Sequence, residues 1–126
     1  MTDILIVEDE PAILESLEFI LRRCGWSVGL ARDGEAGLEA AYRFRPRMML
    51  LDIMLPKRDG LDVLREMRAD AALRGTSVLM LTARGQQYDR RAAQDLKADG
   101  FITKPYANTD VVAAVRRVLD PSPLLA

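Results

Sequence analysis

The chain has 126 residues, of which 49% are hydrophobic and 29% charged, and its formal net charge is −1. This length suits one domain, and the balanced charge gives no support for direct nucleic-acid binding. One cysteine, Cys24, excludes an intrachain disulfide, and no segment approaches the ~20 apolar residues of a membrane span. Because the N-terminus also lacks signal-peptide features, we expect a cytoplasmic protein without membrane contact.

Short apolar runs alternate along the chain with longer segments that have helical spacing. Unbroken apolar runs of this length are typical of strands buried on both faces, as in a parallel sheet. The predicted strands are residues 4–7, a weaker edge strand at 27–31, then 48–51, 78–81 and 101–103.

Five helices are predicted between and after the strands. They begin near Pro11, Asp33, Asp59, residue 86 and Asn108, and the expected stops are Gly25, Pro46, Pro121 and Pro123. The fourth has the poorest packing face, formed by Tyr88, Ala92, Ala93 and Leu96. A face that buries so little area suits an element that moves.

Five strand–helix units predict an α/β fold with a doubly wound, open parallel sheet and helices on both of its faces. We assign residues 1–120 to this domain and 121–126 to a short C-terminal tail. In such sheets ligands bind beyond the carboxyl ends of the strands. The residues at those ends are therefore the candidate site.

Polar side chains follow four of the predicted strands. They are Glu8, Asp9, Asp52, Thr82 and Lys104. Each has an ordinary explanation alone: an acidic residue near Pro11 or Thr82 as a helix cap, Asp52 as a solvated strand end and Lys104 as a surface lysine. Chance does not readily place all of these complementary groups at one edge of a sheet.

The chemistry of the group explains its composition. Neighbouring carboxylates repel each other unless a cation neutralises them, and an all-oxygen ligand set suits Mg²⁺ or Mn²⁺ better than zinc. A carboxylate can also form an acyl phosphate as a nucleophile, and phosphoryl transfer depends mainly on charge stabilisation. No residue in the group resembles a general base, which argues against a self-sufficient hydrolase.

Four motifs, in order and at the right separations, resemble the receiver domain of two-component response regulators. They are ILIVEDE at residues 4–10, LDIMLP at 51–56 followed by Asp59-Gly60, LTAR at 81–84 and FITKP at 101–105. The resemblance covers essentially the whole chain. It implies the flavodoxin-like receiver fold with five helices and strand order 2-1-3-4-5.

The resemblance also implies a role for each site residue. Asp52 would accept a phosphoryl group from the phosphohistidine of a sensor histidine kinase or a histidine phosphotransfer protein. Asp9 and Asp52 would ligate Mg²⁺ directly, the Met54 backbone carbonyl would join them, and Glu8 would act through metal-bound water. Such a protein is not an enzyme, apart from slow self-dephosphorylation.

The implied switch involves three further positions. Thr82 and Lys104 would bind the phosphoryl oxygens. Phe101 would turn inward when Thr82 moves toward the phosphate, and this would change the surface formed by the fourth helix, fifth strand and fifth helix. The Lys104-Pro105 peptide bond is expected to be cis, as it is in the family.

The motifs most resemble receivers of the winged-helix transcription-factor branch, which dimerise through charge pairs. One pair is kept in type, Arg90 with Asp110, whereas Gly100 and Ala114 replace both members of another. Lys97 stands where a turn glycine is usual. We therefore expect a monomer or weak homodimer.

Two outputs fit the sequence: a stand-alone receiver, which the missing pair favours, or the receiver fragment of a DNA-binding regulator. A haloacid-dehalogenase-type phosphatase needs a second acid two residues after its nucleophile. Position 54 is methionine, so this third class is rejected.

Overall fold

The computed structural model describes residues 2–83 and 87–120. The predicted tail, the two prolines in it, Arg84 of the third motif and the predicted helix start at residue 86 lie outside these ranges. Strands and helices alternate as β1 Ile4–Val7, α1 Pro11–Arg23, β2 Val28–Ala31, α2 Gly34–Phe44, β3 Met48–Asp52, α3 Gly60–Ala69, β4 Ser77–Thr82, α4 Gln87–Asp95, β5 Gly100–Thr103 and α5 Asn108–Leu119. Each predicted strand and helix among the described residues is present.

The five strands form one parallel sheet in the order β2-β1-β3-β4-β5. Every residue of the inner strands β1 and β3 is buried. The weaker strand β2 lies at an edge, as predicted. This arrangement confirms both the doubly wound class and the strand order that the family resemblance implied.

Side chains alternate between the two faces of the sheet and form two cores. Ile4 and Ile6 pack with α1 and α5, whereas Leu5 and Val7 pack with α2, α3 and α4. α1 contributes the buried stripe Leu14, Leu17 and Leu21. Helices therefore cover both faces, and the polar strand ends are left at the rim of the sheet.

Helix starts follow the local sequence. Asp33 Oδ1 accepts a hydrogen bond from Ala36 N at 2.7 Å, and Asp59 Oδ1 accepts one from Asp62 N at 2.9 Å. These N-caps begin α2 and α3 as expected. The N-cap of α1 is Glu10, and its side chain makes no capping bond.

α4 is attached mainly through its carboxyl-terminal half. Ala93 is fully buried, and Leu96 and Ala98 pack against the same core. Tyr88 is 85% exposed, so its predicted packing role is wrong. Tyr88 lies in the first turn of α4, whereas the residues that pack against the core lie at and after the end of the helix.

A Schellman motif ends α4. Ala98 N donates to Ala93 O, and Lys97 N donates to Gln94 O. Lys97 has φ of 64°, the left-handed conformation in which glycine is usual. The backbone angle that was expected at this position is therefore adopted by lysine.

The amino ends of the strands form the base of the sheet. There Trp26 is only 8% exposed, and its Nε1 donates to Asp120 Oδ2 at 3.1 Å. Arg47 donates to Leu119 O at 3.0 Å, and Arg116 stacks over the Trp26 ring. These contacts fasten the end of α5 to the base.

Candidate functional site

The carboxyl ends of the central strands bring three charged side chains together. Glu8 follows β1, Asp52 ends β3 and Lys104 follows β5. Glu8 is fully buried and Asp52 is 4% exposed. Because parallel strands end at the same edge, residues far apart in the chain become neighbours here, as the sequence predicted.

Lys104 links the two buried carboxylates. Its Nζ lies 3.1 Å from Glu8 Oε1 and 3.0 Å from Asp52 Oδ2, so the side chain reaches across β4. Its backbone N donates to Thr82 O at 2.6 Å, and the Lys104-Pro105 bond is cis, as expected. The ammonium group of Lys104, which follows β5, thus connects the carboxyl ends of β1 and β3.

The electrostatics of the site are unbalanced. Burial, followed by hydrogen bonding and charge repulsion from Asp52, raises the pKa of Glu8. Burial alone would lower the pKa of Lys104, but the hydrogen bonds and charges of Asp52 and Glu8 outweigh it and raise that pKa. The proximity of Asp52 thus contributes to both shifts, by repulsion of Glu8 and by attraction of Lys104.

Asp9 completes a group that suits a divalent cation. One carboxylate oxygen from each of Glu8, Asp9 and Asp52 lies within 4.8 Å of the others. Among the described residues, these three carboxylates face the single ammonium of Lys104, an excess of two acidic groups. An all-oxygen donor set with this surplus fits Mg²⁺.

The backbone around Asp52 holds its carboxylate in place. Met54 N donates to Asp52 Oδ1 at 3.2 Å, and Gly60 N donates to Ile53 O at 2.8 Å. A Cβ built at Gly60 would lie 2.2 Å from Asp52 O. The sequence showed the Asp59-Gly60 motif, but this close approach, which only glycine permits, was not predicted. The Met54 carbonyl as a metal ligand stays a prediction.

The two predicted switch residues lie on neighbouring strands. Thr82 is 2% exposed, and its Oγ1 lies 3.5 Å from Oγ1 of Thr103, its partner on β5. Phe101 is partly buried in the core beside α4, with the Arg90 guanidinium 4.8 Å from its ring centroid. The contact with Thr103 was not foreseen, because it depends on the β4–β5 register.

An open groove of about 750 Å³ lies beside Lys104, between α1 and the start of α5. Its lining is largely apolar and includes Ile13, Leu17, Pro105 and Tyr106. The Tyr106 hydroxyl is buried and has no hydrogen-bond partner among the described residues. The site therefore has an apolar surface directly next to its charged centre.

Comparison with known sequences agrees with this site. The family model of the response regulator receiver domain matches residues 4–116. The chain is 45% identical over 113 residues to the transcriptional regulatory protein DltR of Streptococcus agalactiae, covering 90% of this chain and 50% of that protein. It is 37% identical over 123 residues to the alkaline phosphatase synthesis transcriptional regulatory protein PhoP of Bacillus subtilis, covering 98% and 50%. The chain thus spans about half the length of these relatives, which agree with the predicted resemblance to the transcription-factor branch.

Solved structures show the same fold. A CheY-like receiver domain protein from Methanospirillum hungatei has a TM-score of 0.88 at 28% identity, over 95% of this chain and 94% of that one. The receiver domain of a sensor histidine kinase from Pseudomonas aeruginosa has a TM-score of 0.84 at 32% identity, over 93% and 96%, and holds magnesium in its active-site cleft. In the described part of our chain, no helix is long and apolar enough to span a membrane. From its fold, its site and the family match, the chain belongs to the response regulator receiver domain family.

Proposed function

We propose that this receiver domain takes up a phosphoryl group on Asp52 in a histidine-to-aspartate phosphorelay. The observation that supports this most is the placement of the Asp52 carboxylate. One oxygen accepts from Met54 N, and the other contacts Lys104 Nζ within a cluster of three carboxylates. A carboxylate held in this way can act as a nucleophile, and the neighbouring ammonium can stabilise the negative charge of the phosphoryl group.

The proposed step breaks the N–P bond of a phosphohistidine. An Asp52 oxygen attacks phosphorus, an acyl phosphate forms, and the imidazole leaves with the electron pair of the broken bond. Magnesium held by Glu8, Asp9, Asp52 and the Met54 carbonyl would supply positive charge beside the phosphoryl oxygens. Lys104 and the Thr82 hydroxyl would hold two of those oxygens. Among the described residues of the site none resembles a general base, so we propose no enzymatic activity beyond slow self-dephosphorylation.

The donor is proposed to be a sensor histidine kinase or a histidine phosphotransfer protein in the cytoplasm. The apolar groove supports a protein donor, because it borders Lys104, whose Nζ contacts Asp52. Apolar surface of this kind is typical of sites that bind other proteins.

Phosphorylation is proposed to change the surface formed by α4, β5 and α5. Two observations support weak self-association through that surface. The Arg90 guanidinium lies over the Phe101 ring, and Asp110 Oδ2 accepts a hydrogen bond from Ala107 N at 3.1 Å. Both members of the remaining charge pair therefore have partners within the chain. Ala114, where the family has an arginine, is buried.

The output has two candidates. The missing charge pair supports a stand-alone receiver that docks to another protein, and the net charge of −1 gives no electrostatic support for DNA binding by these residues. The likeness to transcriptional regulators of twice the length supports the alternative, a receiver within a DNA-binding regulator. Sedimentation with and without beryllium fluoride, a phosphate mimic, separates them: the stand-alone form stays monomeric at micromolar concentration, whereas a tight dimer favours the regulator.

Phosphorylation itself is tested with a small phosphodonor. Incubation with Mg²⁺ should add one phosphoryl group that hydroxylamine removes, and Asp52→Asn should abolish this uptake. Asp62→Asn, which changes an exposed carboxylate on α3, is the matched control. Uptake by Asp52→Asn at the rate of the parent protein would refute the assignment.

The metal is tested separately by calorimetry. Asp9→Asn should weaken Mg²⁺ binding by about tenfold or more, because it removes one charged ligand. Glu8→Gln should weaken it less, because Glu8 is expected to act through water. Equal Mg²⁺ affinity in the parent and Asp9→Asn proteins would show that Asp9 is not a ligand.

A further inference from the structure

Arg68 lies in the last turn of α3, and its guanidinium donates hydrogen bonds to several neighbouring segments. Its side chain is only 15% exposed. It donates to the backbone carbonyls of four residues and to one carboxylate. The acceptors are Leu96 O at 3.2 Å, Lys97 O at 2.9 Å, Arg74 O at 3.1 Å, Thr76 O at 2.8 Å and Asp99 Oδ2 at 3.3 Å.

Two of these acceptors belong to the end of α4. The last carbonyls of a helix have no partner within the helix. Leu96 O lies at the C-cap of α4, and Lys97 O belongs to the turn that follows it. A planar guanidinium with several donors can satisfy both, and its charge is favourable at a helix carboxyl end. Arg68 therefore closes α4 from outside the helix.

Through Asp99, the contacts of Arg68 extend to the start of β4. Asp99 Oδ2, which contacts Arg68, also accepts from Val78 N at 2.7 Å. Asp99 N donates to Val78 O at 2.8 Å. Through Asp99 and Arg68, the carboxyl end of α4 is tied to α3 and to the amino end of β4.

The opposite end of α4 has few such attachments among the described residues. Tyr88 is 85% exposed, and the contact found in this half is the Arg90 guanidinium over the Phe101 ring. The apolar contacts come from Ala93 near the end of the helix and from Leu96 and Ala98 just after it. The helix is thus held at the end far from the site and weakly held at the end that follows β4 and Thr82.

We propose that Arg68 is the positioning residue of α4. It fixes the carboxyl end of the helix in both states of the domain, so that switching displaces only the amino half. The proposal rests on the proposed function, because it concerns the change that phosphorylation causes. Its core statement, that Arg68 holds residues 96–99, also applies to the domain without phosphate.

The test is amide hydrogen exchange on the full chain, with and without Mg²⁺ and beryllium fluoride. In the parent protein the mimic should change exchange over residues 87–92 and leave residues 96–99 within about twofold. In Arg68→Gln without the mimic, residues 96–99 should exchange at least about tenfold faster, a local change of about 1.4 kcal/mol. Arg68→Lys keeps the charge without the planar fork and should fall between the two.

Arg65→Gln is the matched control, since Arg65 lies on the same helix and pairs only with exposed Asp62 among the described residues. It should leave exchange at residues 96–99 unchanged. The β1 and β3 amides separate local release from global destabilisation: they should not follow residues 96–99 in Arg68→Gln. If Arg68→Gln fails to fold, Arg68→Lys and the parent protein decide.

Two results would overturn the proposal: a mimic-induced change in the parent at residues 96–99 as large as at 87–92, or unchanged exchange at 96–99 in both Arg68 variants. A mimic without effect anywhere in the parent would count against the proposed switch. The exchange of residues 96–99 in the variants without mimic would still decide whether Arg68 holds the helix.

Discussion

Two carboxylates at opposite ends of β1 have contrasting environments. At the base, Asp3 accepts from Ser27 N at 2.9 Å, from Ser27 Oγ at 3.2 Å and from Arg47 at 3.3 Å. The Ser27 backbone hydrogen bond lowers the pKa of Asp3, despite partial burial, and the Arg47 contact acts in the same direction. At the other end, Glu8 is fully buried beside Asp52, and its pKa is raised.

The difference separates charges that stabilise the fold from charges that serve a site. At the base, Asp3 has hydrogen-bond donors and the Arg47 cation as partners, so ionisation of Asp3 favours the folded state. The carboxyl edge buries Glu8 beside Asp52, and because the pKa of Glu8 is raised, ionisation of Glu8 opposes folding unless a further cation binds. A surplus of buried like charge is thus the physical signature of the site.

The largest expected effect comes from removing the lysine at the carboxyl edge. Lys104→Met should lower the free energy of unfolding without metal by about 2–3 kcal/mol, because two buried carboxylates lose their counterion. This is less than the roughly 3–5 kcal/mol for a fully buried pair, since the Lys104 side chain is 25% exposed. Added Mg²⁺ should stabilise the variant more than the parent, since a more negative site binds the ion more tightly. Urea unfolding in EDTA and in Mg²⁺ measures both.

Lys57→Met is the control for Lys104→Met. Lys57 Nζ lies 3.7 Å from Asp33, and the lysine side chain is 67% exposed. Loss of such an exposed pair should cost no more than about 0.5 kcal/mol. If both variants lost the same free energy of unfolding, Lys104 would not be needed to balance the buried carboxylates. The contrast between the carboxyl edge and the base would then be wrong.

At the base, Asp3→Asn should lower the free energy of unfolding at pH 7 by about 1–2 kcal/mol, because charge-assisted hydrogen bonds are lost. Since the native pKa of Asp3 is lowered, its contribution is present above the ordinary value of 3.8 and is lost as pH falls through the native value. The parent and variant curves should therefore converge below about pH 4. Urea unfolding across a pH series tests this, with Asp62→Asn as an exposed control; a constant gap down to the acid transition would contradict it.

The smallest effect concerns strain in the turn after α4. Lys97→Gly should raise the free energy of unfolding by about 0.5–1 kcal/mol, because glycine adopts the left-handed conformation without the Cβ penalty. Lys97→Ala keeps the Cβ and should give no gain. Thermal or urea unfolding of the three proteins measures the difference, and a gain in the alanine variant would assign the effect to charge instead.

The sequence was most informative where one strand contributes one chemical group. Unbroken apolar runs predicted the strands, and the polar residue after each run predicted Glu8, Asp52, Thr82 and Lys104 at one edge. Parallel strands make this inference possible, because the end of every run lies on the same side. The wording of the motifs added the strand order and the cis bond before Pro105.

Contacts that depend on backbone acceptors were not predictable. Arg68 binds carbonyls, which every residue has, so no side-chain pattern indicates its partners. The helical spacing predicts Tyr88 on the packing face, but spacing does not show where along a helix the core ends. The Thr82–Thr103 contact required the register of β4 and β5, which the apolar runs leave undetermined.

The position of Trp26 decides what tryptophan emission can measure in this protein. It is the only tryptophan in the chain, and it contacts Asp120 and Arg116 at the base. Its emission should therefore respond when the end of α5 leaves the base, and should be insensitive to ions or phosphate at the opposite edge. Trp26 is thus an intrinsic fluorescence reporter for the attachment of the end of α5 to the base.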